Sequence, residues 1–318
     1  MDASRAKRAA IIYNPVARRV SRTRHLLQRT TETLARHGID AKLVATTAPG
    51  NASVQARRQI EAGCDLIFAA GGDGTINEVA NGMLHSNVPL GILPGGTANV
   101  LARELRLSMD MTKVAEQITT FQPVPVSVGV LRMGEFEKRC FLCMSGAGLD
   151  AEIVCRLNLD LKAAVGKLAY YIGGFAQAFR PLYEFKISVD GRPYEASFAL
   201  ISRVRNYGGD LEIARGASLL RNDFEVVMFR GTVSLRYIPY LLAVAVGQAN
   251  RMSGVTVVRG RSVVCEAVDG KEIYSQIDGE LVGKLPIAAE IIQDALTLLL
   301  PPEYLAREHA FLQVAACA

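Results

Sequence analysis

The sequence predicts two domains in series: an α/β domain on a parallel sheet over residues 1–122, then a mostly antiparallel β-sandwich with inserted helices over 123–318. Three observations predict this. In the first third of the chain, short apolar runs alternate with segments of helical periodicity, the pattern of a parallel sheet wound by right-handed crossovers. Beyond Phe121 the apolar spacing falls to two, as in Val124, Val126, Val128 and Val130, the period of a half-buried strand. Asp190-Gly191 and Asp269-Gly270 separate such runs, and Asp-Gly is hairpin chemistry. With 318 residues, 50% of them hydrophobic, the chain can bury two cores. The residues after 286 are left able to return to the first domain.

In order, Ala9 to Tyr13 is a strand ended by Asn14-Pro15, because proline cannot donate to the ladder. A helix follows to Arg36, with Leu26, Leu27, Thr30 and Leu34 on one face, and Gly38 closes it at C′. Ile39 to Val44 is the second strand. Thr46, Thr47 and Pro49-Gly50 lead into a helix ending near Gly63. Leu66 to Ala70 is a continuous apolar run, as in a strand buried on both faces. Gly71, Gly72 and Gly74 break it, and Ile76, Val79, Ala80 and Met83 resume helical spacing to about Leu84. Pro89 to Leu93 is a further strand. It meets a second glycine turn, Pro94 to Asn99, and a helix over Val100 to Arg106.

Glycine turns between a strand and a helix present free N–H groups at a helix N-terminus, where phosphate binds. In open α/β sheets ligands sit beyond the carboxyl ends of the strands, where both turns lie. Asp73 would repel a phosphate beside it, and a divalent cation removes that contradiction. The plainer alternative is an ordinary βα turn with Asp73 or Thr75 capping the helix.

In the second domain, strands are expected at Phe141 to Met144, Tyr183 to Val189, Tyr194 to Ile201, Phe224 to Phe229, Val255 to Val258, Ser262 to Val268 and Ile273 to Ile277. Apolar helices are expected near Leu161 to Phe179 and Ser234 to Gln248, as core or as the lining of an apolar cleft. Cys64, Cys140, Cys143, Cys155, Cys265 and Cys317 have no framework spacing. No second Cys or His pair completes a zinc site around Cys140-x-x-Cys143, so all six read as thiols of a reducing compartment. The N-terminus lacks a signal-peptide core. The longest apolar stretch, Ile238 to Val246, falls short of the roughly 20 residues of a membrane span. A cytoplasmic location is expected. Net charge is +5, with Arg5, Lys7, Arg8, Arg18, Arg19, Arg22, Arg24 and Arg29 crowding the N-terminus. Such a run is either a solvated face or an attractor of anionic headgroups, nucleic acid or nucleotide.

Asn14-Pro15, Gly71-Gly72-Asp73-Gly74-Thr75, Gly96-Thr97-Ala98-Asn99, Gly146-Ala147-Gly148-Leu149-Asp150-Ala151 and Asp278-Gly279-Glu280, in this order, resemble the diacylglycerol kinase-like lipid kinases of the bacterial type, relatives of the sphingosine kinases. The resemblance spans Ile11 to Leu285. It implies a nucleotide-binding domain of phosphofructokinase/NAD kinase-like fold, a β-rich domain, and transfer of the γ-phosphoryl of ATP, with Mg2+, to a lipid hydroxyl. Asn14, Thr46 or Thr47, the segment Gly71, Gly72, Asp73, Gly74, Thr75, Ile76 and Asn77, and Gly96, Thr97 and Asn99 would hold the nucleotide. Asp73 would act close to the catalytic metal, directly or indirectly. Glu280 would accept the hydroxyl proton, with Asp278 beside it. The implied partner is a lipid at a membrane surface, met peripherally, and not nucleic acid. Monomer and homodimer are both left open.

One stretch departs from the pattern. Members of the family often carry an Asp-Gly pair, part of a structural magnesium site, where this chain has Leu219 to Phe224; aligned on Phe224-Glu225-Val226, that Asp is Arg221. A structural magnesium is therefore doubtful here. Competing functions are an NAD kinase-like or other small-molecule kinase of the same superfamily, and a non-catalytic nucleotide or lipid binder. The turn at Gly96 to Asn99 and the Asp-Gly-Glu favour the lipid enzymes, and a pure binder has no use for a general base such as Glu280. The lipid itself is not legible in one sequence.

Overall fold

The computed structural model describes residues 7–16, 24–134, 137–149, 151, 182–207, 211–231, 240, 252–268 and 270–317. The expected helix at Leu161 to Phe179 and nearly all of that at Ser234 to Gln248 lie outside the described residues. So do Arg5, Arg18, Arg19, Arg22, Asp150, Cys155 and Asp269. Two compact units are present: Met1–Ser127 with Gln293–Ala318, and Val128–Ile292.

The first unit follows the βα alternation. β1 (Lys7–Tyr13), α1 (Arg24–Arg36), β2 (Ile39–Ala45), α2 (Asn51–Glu61), β3 (Leu66–Gly71), α3 (Asp73–Met83), β4 (Leu90–Pro94), α4 (Val100–Glu104) and α5 (Met111–Gln117) succeed one another. β1 lies between β2 and β3, and β4 joins β3, all parallel. Every residue of β3 and β4 is buried, as apolar strands with helices on both faces require. Leu27, Thr30 and Leu34 are the buried stripe of α1. Gly38, at φ +74°, ends that helix.

The rest of the chain contains β5 (Gln122–Met133), β6 (Glu137–Phe141), β7 (Met144–Gly148), β8 (Phe185–Val189), β9 (Arg192–Ala196), β10 (Phe198–Ser202), β11 (Asn206–Tyr207), β12 (Leu211–Glu212), β13 (Phe224–Phe229), β14 (Val255–Gly260), β15 (Ser262–Ala267), β16 (Tyr274–Ile277), β17 (Glu280–Lys284), β18 (Ile287–Leu300) and α6 (Pro302–Cys317). In the second unit β18, β15, β8 and β9 pair antiparallel in that order. A separate antiparallel sheet runs β14-β13-β10-β7-β16-β17. Leu131, Phe141, Phe185, Ile187, Ile201, Phe224, Val226, Val263, Cys265 and Ile287, drawn from both sheets, form one core, the interior of a sandwich. Phe141 stacks on Phe224 with centroids 5.6 Å apart. Burial pushes the Cys265 thiol up to about 12, so it is inert packing.

Two expected strands divide. Tyr194 to Ile201 breaks at Ser197, whose N–H donates to Phe229 O and whose hydroxyl donates to Gly231 O at 2.6 Å; there the chain passes from β9 in one sheet to β10 in the other. Phe141 to Met144 breaks because the Asp278 carboxylate draws off the N–H groups of Leu142, Cys143 and Met144 at 3.4, 3.2 and 2.8 Å. The sequence reading omitted β18 and α6. The end of β18 joins the first unit's sheet, with Leu298 parallel to Leu90. Among the described residues no helix is long and apolar enough to cross a membrane.

Candidate functional site

In the first unit the expected ligand residues follow four adjacent parallel strands. Asn14 comes after β1, Thr46 and Thr47 after β2, Gly71 to Asn77 at the end of β3, and Gly96 to Asn99 after β4. Topology alone thus collects them at the carboxyl edge of one sheet. The Asn14 side chain accepts from Val16 N at 3.0 Å. Thr46 N donates to Tyr13 O at 2.9 Å, and Thr47 N to Asn51 Oδ1 at 3.2 Å.

The two glycine turns are fastened to each other. Gly95 N donates to Gly71 O at 2.7 Å. A Cβ on Gly96 would stand 2.4 Å from Gly72 Cα, and one on Gly72 would stand 3.3 Å from Gly96 Cα. Backbone therefore lies directly on backbone, and no side chain fits between. Asn99, at φ +49°, closes its turn by accepting from Gly96 N at 2.8 Å and donating to Gly96 O at 3.0 Å.

Gly72 occupies the N-cap of α3 without a side-chain cap bond. The first helical bond is Ile76 N to Gly72 O at 3.1 Å. The N–H groups of Asp73, Gly74 and Thr75 precede it, at the positive end of the helix dipole. The Asp73 carboxylate reaches across to the second turn and accepts from Leu101 N at 3.4 Å. Burial pushes its carboxyl above the ordinary range, against the opposing pull of the N–H groups of Leu101, Val100 and Asn99. Thr97 is exposed, while Ile76 and Asn77 are buried. Ile76 is core, and Asn77 accepts twice from Asn81.

In the second unit Asp278 at φ +48° and Gly279 at φ +82° form the tight turn between β16 and β17, the two-residue geometry that Asp-Gly suits. The Asp278 carboxylate is committed to the three N–H groups between β6 and β7, and Gly279 N donates to Gln276 Oε1 at 2.7 Å. Glu280, first in β17, stays 49% exposed and accepts from Arg139 Nη2 at 2.5 Å. Gly146 to Gly148 lie in β7, between β10 and β16.

The loop at Leu219 to Phe224 is organised by guanidinium groups. Arg203 is fully buried; it donates to the carbonyl oxygens of Arg221, Asp223 and Leu219 at 2.6, 2.8 and 2.9 Å. Arg259 and Arg221 both pair with the Asp223 carboxylate. Burial alone would raise the Asp223 carboxyl, yet Arg259 and Arg221 outweigh it and hold it below the usual range. Magnesium demands near-octahedral oxygen, and these oxygens are already spent on nitrogen. The donor set does not fit a structural magnesium. Sequence reasoning found Arg221 but missed Arg203, Arg259 and Arg139. The one signal for Arg203 was a basic residue just beyond the apolar Phe198 to Ile201, separated from it by Ser202.

Two family models match the chain: the diacylglycerol kinase catalytic domain over residues 8–131 and the YegS C-terminal NAD kinase beta sandwich-like domain over residues 144–300. A diacylglycerol kinase of Bacillus subtilis (strain 168) is 30% identical over 287 residues, covering 88% of this chain and 92% of that protein. A diacylglycerol kinase of Staphylococcus carnosus (strain TM300) is 26% identical over 286 residues, covering 88% and 90%. The crystal structure of a diacylglycerol kinase from Bacillus anthracis str. Sterne superposes with a TM-score of 0.75 at 23% identity, covering 95% of this chain and 99% of that one. At that identity the likeness establishes the fold.

Two outcomes follow from this geometry. Gly96→Ala should lose about 1–3 kcal/mol in urea unfolding, the usual cost of overpacking, because its Cβ meets backbone. Arg203→Met should lose at least about 3 kcal/mol, since each of three orphaned carbonyls costs about 1–3 kcal/mol, whereas the wild type, without nucleotide, should unfold at one temperature in EDTA and in MgCl2. A wild type that melts lower in EDTA would show that a metal, not Arg203, holds the loop.

Proposed function

The chain belongs to the diacylglycerol kinase family and is a lipid kinase; from that premise we propose that it transfers the γ-phosphoryl of ATP to the hydroxyl of a lipid alcohol of the diacylglycerol type. The carrying observation is the pair of glycine turns packed backbone to backbone at the carboxyl edge of the sheet. No Cβ separates Gly72 from Gly96, and the positive end of the α3 dipole would suit a guest of negative charge. These residues fit the phosphates of a nucleotide. Replacement of Gly72 by valine fills the approach and is incompatible with binding.

Magnesium binds through one or two carboxylates together with substrate phosphates, and the described residues contain no cluster of three metal-ligating side chains. Asp73 is the single carboxylate offered at the turn, so a metal would rest mainly on the nucleotide, with Asp73 beside or behind it. Such an ion neutralises charge on the transferring phosphoryl group. Asp73 also has a role of its own, holding the N-terminus of α4 against the first turn through Leu101 N.

Glu280 is the proposed proton acceptor. As the lipid oxygen attacks γ-phosphorus, its proton passes to the Glu280 carboxylate, the bond from γ-phosphorus to the β,γ-bridging oxygen breaks, and ADP leaves with that electron pair. Arg139 orients the carboxylate. Asp278 is a positioning residue in this scheme, because its oxygens are engaged with backbone and fix the turn that carries Glu280.

The reaction needs the enzyme at a lipid surface. Of the N-terminal cations, Lys7, Arg8 and Arg29 are exposed, although Arg8 Nη2 also donates to Ala62 O at 2.9 Å. Exposed basic residues contribute about 1 kcal/mol each near anionic headgroups. We therefore propose reversible peripheral binding to anionic membranes.

Two measurements test this. Glu280→Gln should keep the wild-type unfolding midpoint and ATP affinity while turnover of ATP with diacylglycerol falls about 10²–10⁴-fold, the range for loss of a general base; undiminished turnover would remove Glu280 from the chemistry, and wild-type ATP turnover indifferent to a lipid panel would remove lipid as the acceptor. Sedimentation with vesicles should give binding to anionic but not neutral lipid, weakened by salt as the Debye length shrinks. Binding insensitive to both would place docking on apolar residues instead.

A further inference from the structure

The Gly96–Asn99 turn leads directly into α4, a helix of five residues. So short a helix has little stability of its own, because nucleation is costly and only propagation repays it. It must be held from outside. Arg307 on α6 provides the hold: Nη2 donates to Glu104 Oε1 at 2.8 Å and to the Glu104 carbonyl oxygen at 3.1 Å, and Nε donates to Glu308 Oε1 at 3.0 Å. The Glu104 and Glu308 side chains are fully buried and that of Arg307 is 21% exposed. The guanidinium lies 5.0 Å from the centroid of the buried Tyr304 ring. One cation thus bonds the carbonyl at the end of α4, where positive charge suits the dipole, and pairs with two buried carboxylates, which need compensation when buried.

The opposite end of α4 meets the glycine turns. Leu101 N donates to Asp73 Oδ1 at 3.4 Å, and Arg103 Nε to Ala98 O, inside the turn, at 3.0 Å. At 1.5 Å rise per residue, the helix between these two anchorages spans only about 6–8 Å. A displacement at Glu104 therefore reaches Asn99 and Gly96, with no flexible segment to absorb it.

We infer that Arg307 is a positioning residue for nucleotide binding: through Glu104 it makes the C-terminal helix set where the Gly96–Asn99 turn stands against Gly72. This rests on the reading that the crevice takes ATP. A buried ion pair is often no more stabilising than apolar residues of the same volume, so fixed geometry, more than stability, is what the network supplies.

The test is ATP affinity by calorimetry and the KM for ATP and for lipid, with unfolding midpoints recorded alongside, for the wild type, Arg307→Met, Arg307→Lys and Glu104→Gln. Arg307→Met should raise Kd and KM for ATP by on the order of tenfold or more, as small misplacements of a site do, with the lipid KM unchanged. Arg307→Lys, which keeps the charge without the fork, should recover part of the loss. If Arg307→Met lowers the midpoint but leaves ATP affinity and KM at wild-type values, the network is a brace for the fold and the inference fails. Should that variant not fold, Glu104→Gln, which leaves the carbonyl and Glu308 contacts in place, decides: an unchanged ATP KM overturns the inference. A wild type that binds no ATP overturns the nucleotide reading and this inference together, whereas normal wild-type binding with unaffected variants overturns this one alone.

Discussion

The contact on which the first unit depends is backbone against backbone, Gly72 against Gly96. Parallel strands bring the ends of β3 and β4 side by side, but adjacency alone would leave two ordinary βα turns separated by side chains. Removing every Cβ at the contact lets the turns close onto each other; Asp73 then holds Leu101 N of α4 against the first turn, and Asn99 closes the second turn on Gly96. The burial that raises the Asp73 carboxyl is the cost of that lock. A carboxylate in this position is a structural fastener, and under the proposed nucleotide reading it would also be the acidic group of this turn beside the phosphates. That dual duty explains why an acid stands where repulsion of a phosphate would seem to forbid it.

The second unit solves a comparable problem with charge. Asp278 gathers the N–H groups of Leu142, Cys143 and Met144 where the chain passes from β6 to β7, and in doing so it fixes the hairpin that presents Glu280. Arg203 does the converse, gathering three carbonyl oxygens from the loop before β13. Each is a single buried or half-buried ion that satisfies several orphan backbone groups, and each is therefore far more expensive to remove than a surface charge.

The parallel unit was legible in the sequence because its signals are local: Leu66 to Ala70 reads as a buried strand, Gly38 as a helix end, and the two glycine turns follow their strands without a gap. The alternation makes the strands parallel, so Asn14, Thr46, Thr47 and Thr97, which the resemblance singles out just past successive strands, fall at one edge. What stayed illegible depends on contacts distant in sequence. The break at Ser197 needs Phe229 and Gly231, the break after Phe141 needs Asp278, and β18 is fixed by a pairing as distant in sequence as Leu298 with Leu90. The resemblance places Ile76 and Asn77 among the ligand residues, and helical periodicity buries both.

The arginine at 221 marks where sequence and structure together say more than either alone. A cation in place of an expected metal ligand could mean merely a lost site, with an open loop. The structure instead has the loop closed around Arg203, with Arg221 and Arg259 sharing Asp223. A guanidinium brings five donors in a fixed plane and remains charged at any physiological pH, so it can serve converging oxygens as an ion would, without dependence on the concentration of free metal. Its limitation is the covalent stem, which ties the loop to the end of β10. Order in this loop is thus linked to the β-sheet itself, which leaves the proposed nucleotide edge of the first unit as the place where a divalent ion would act.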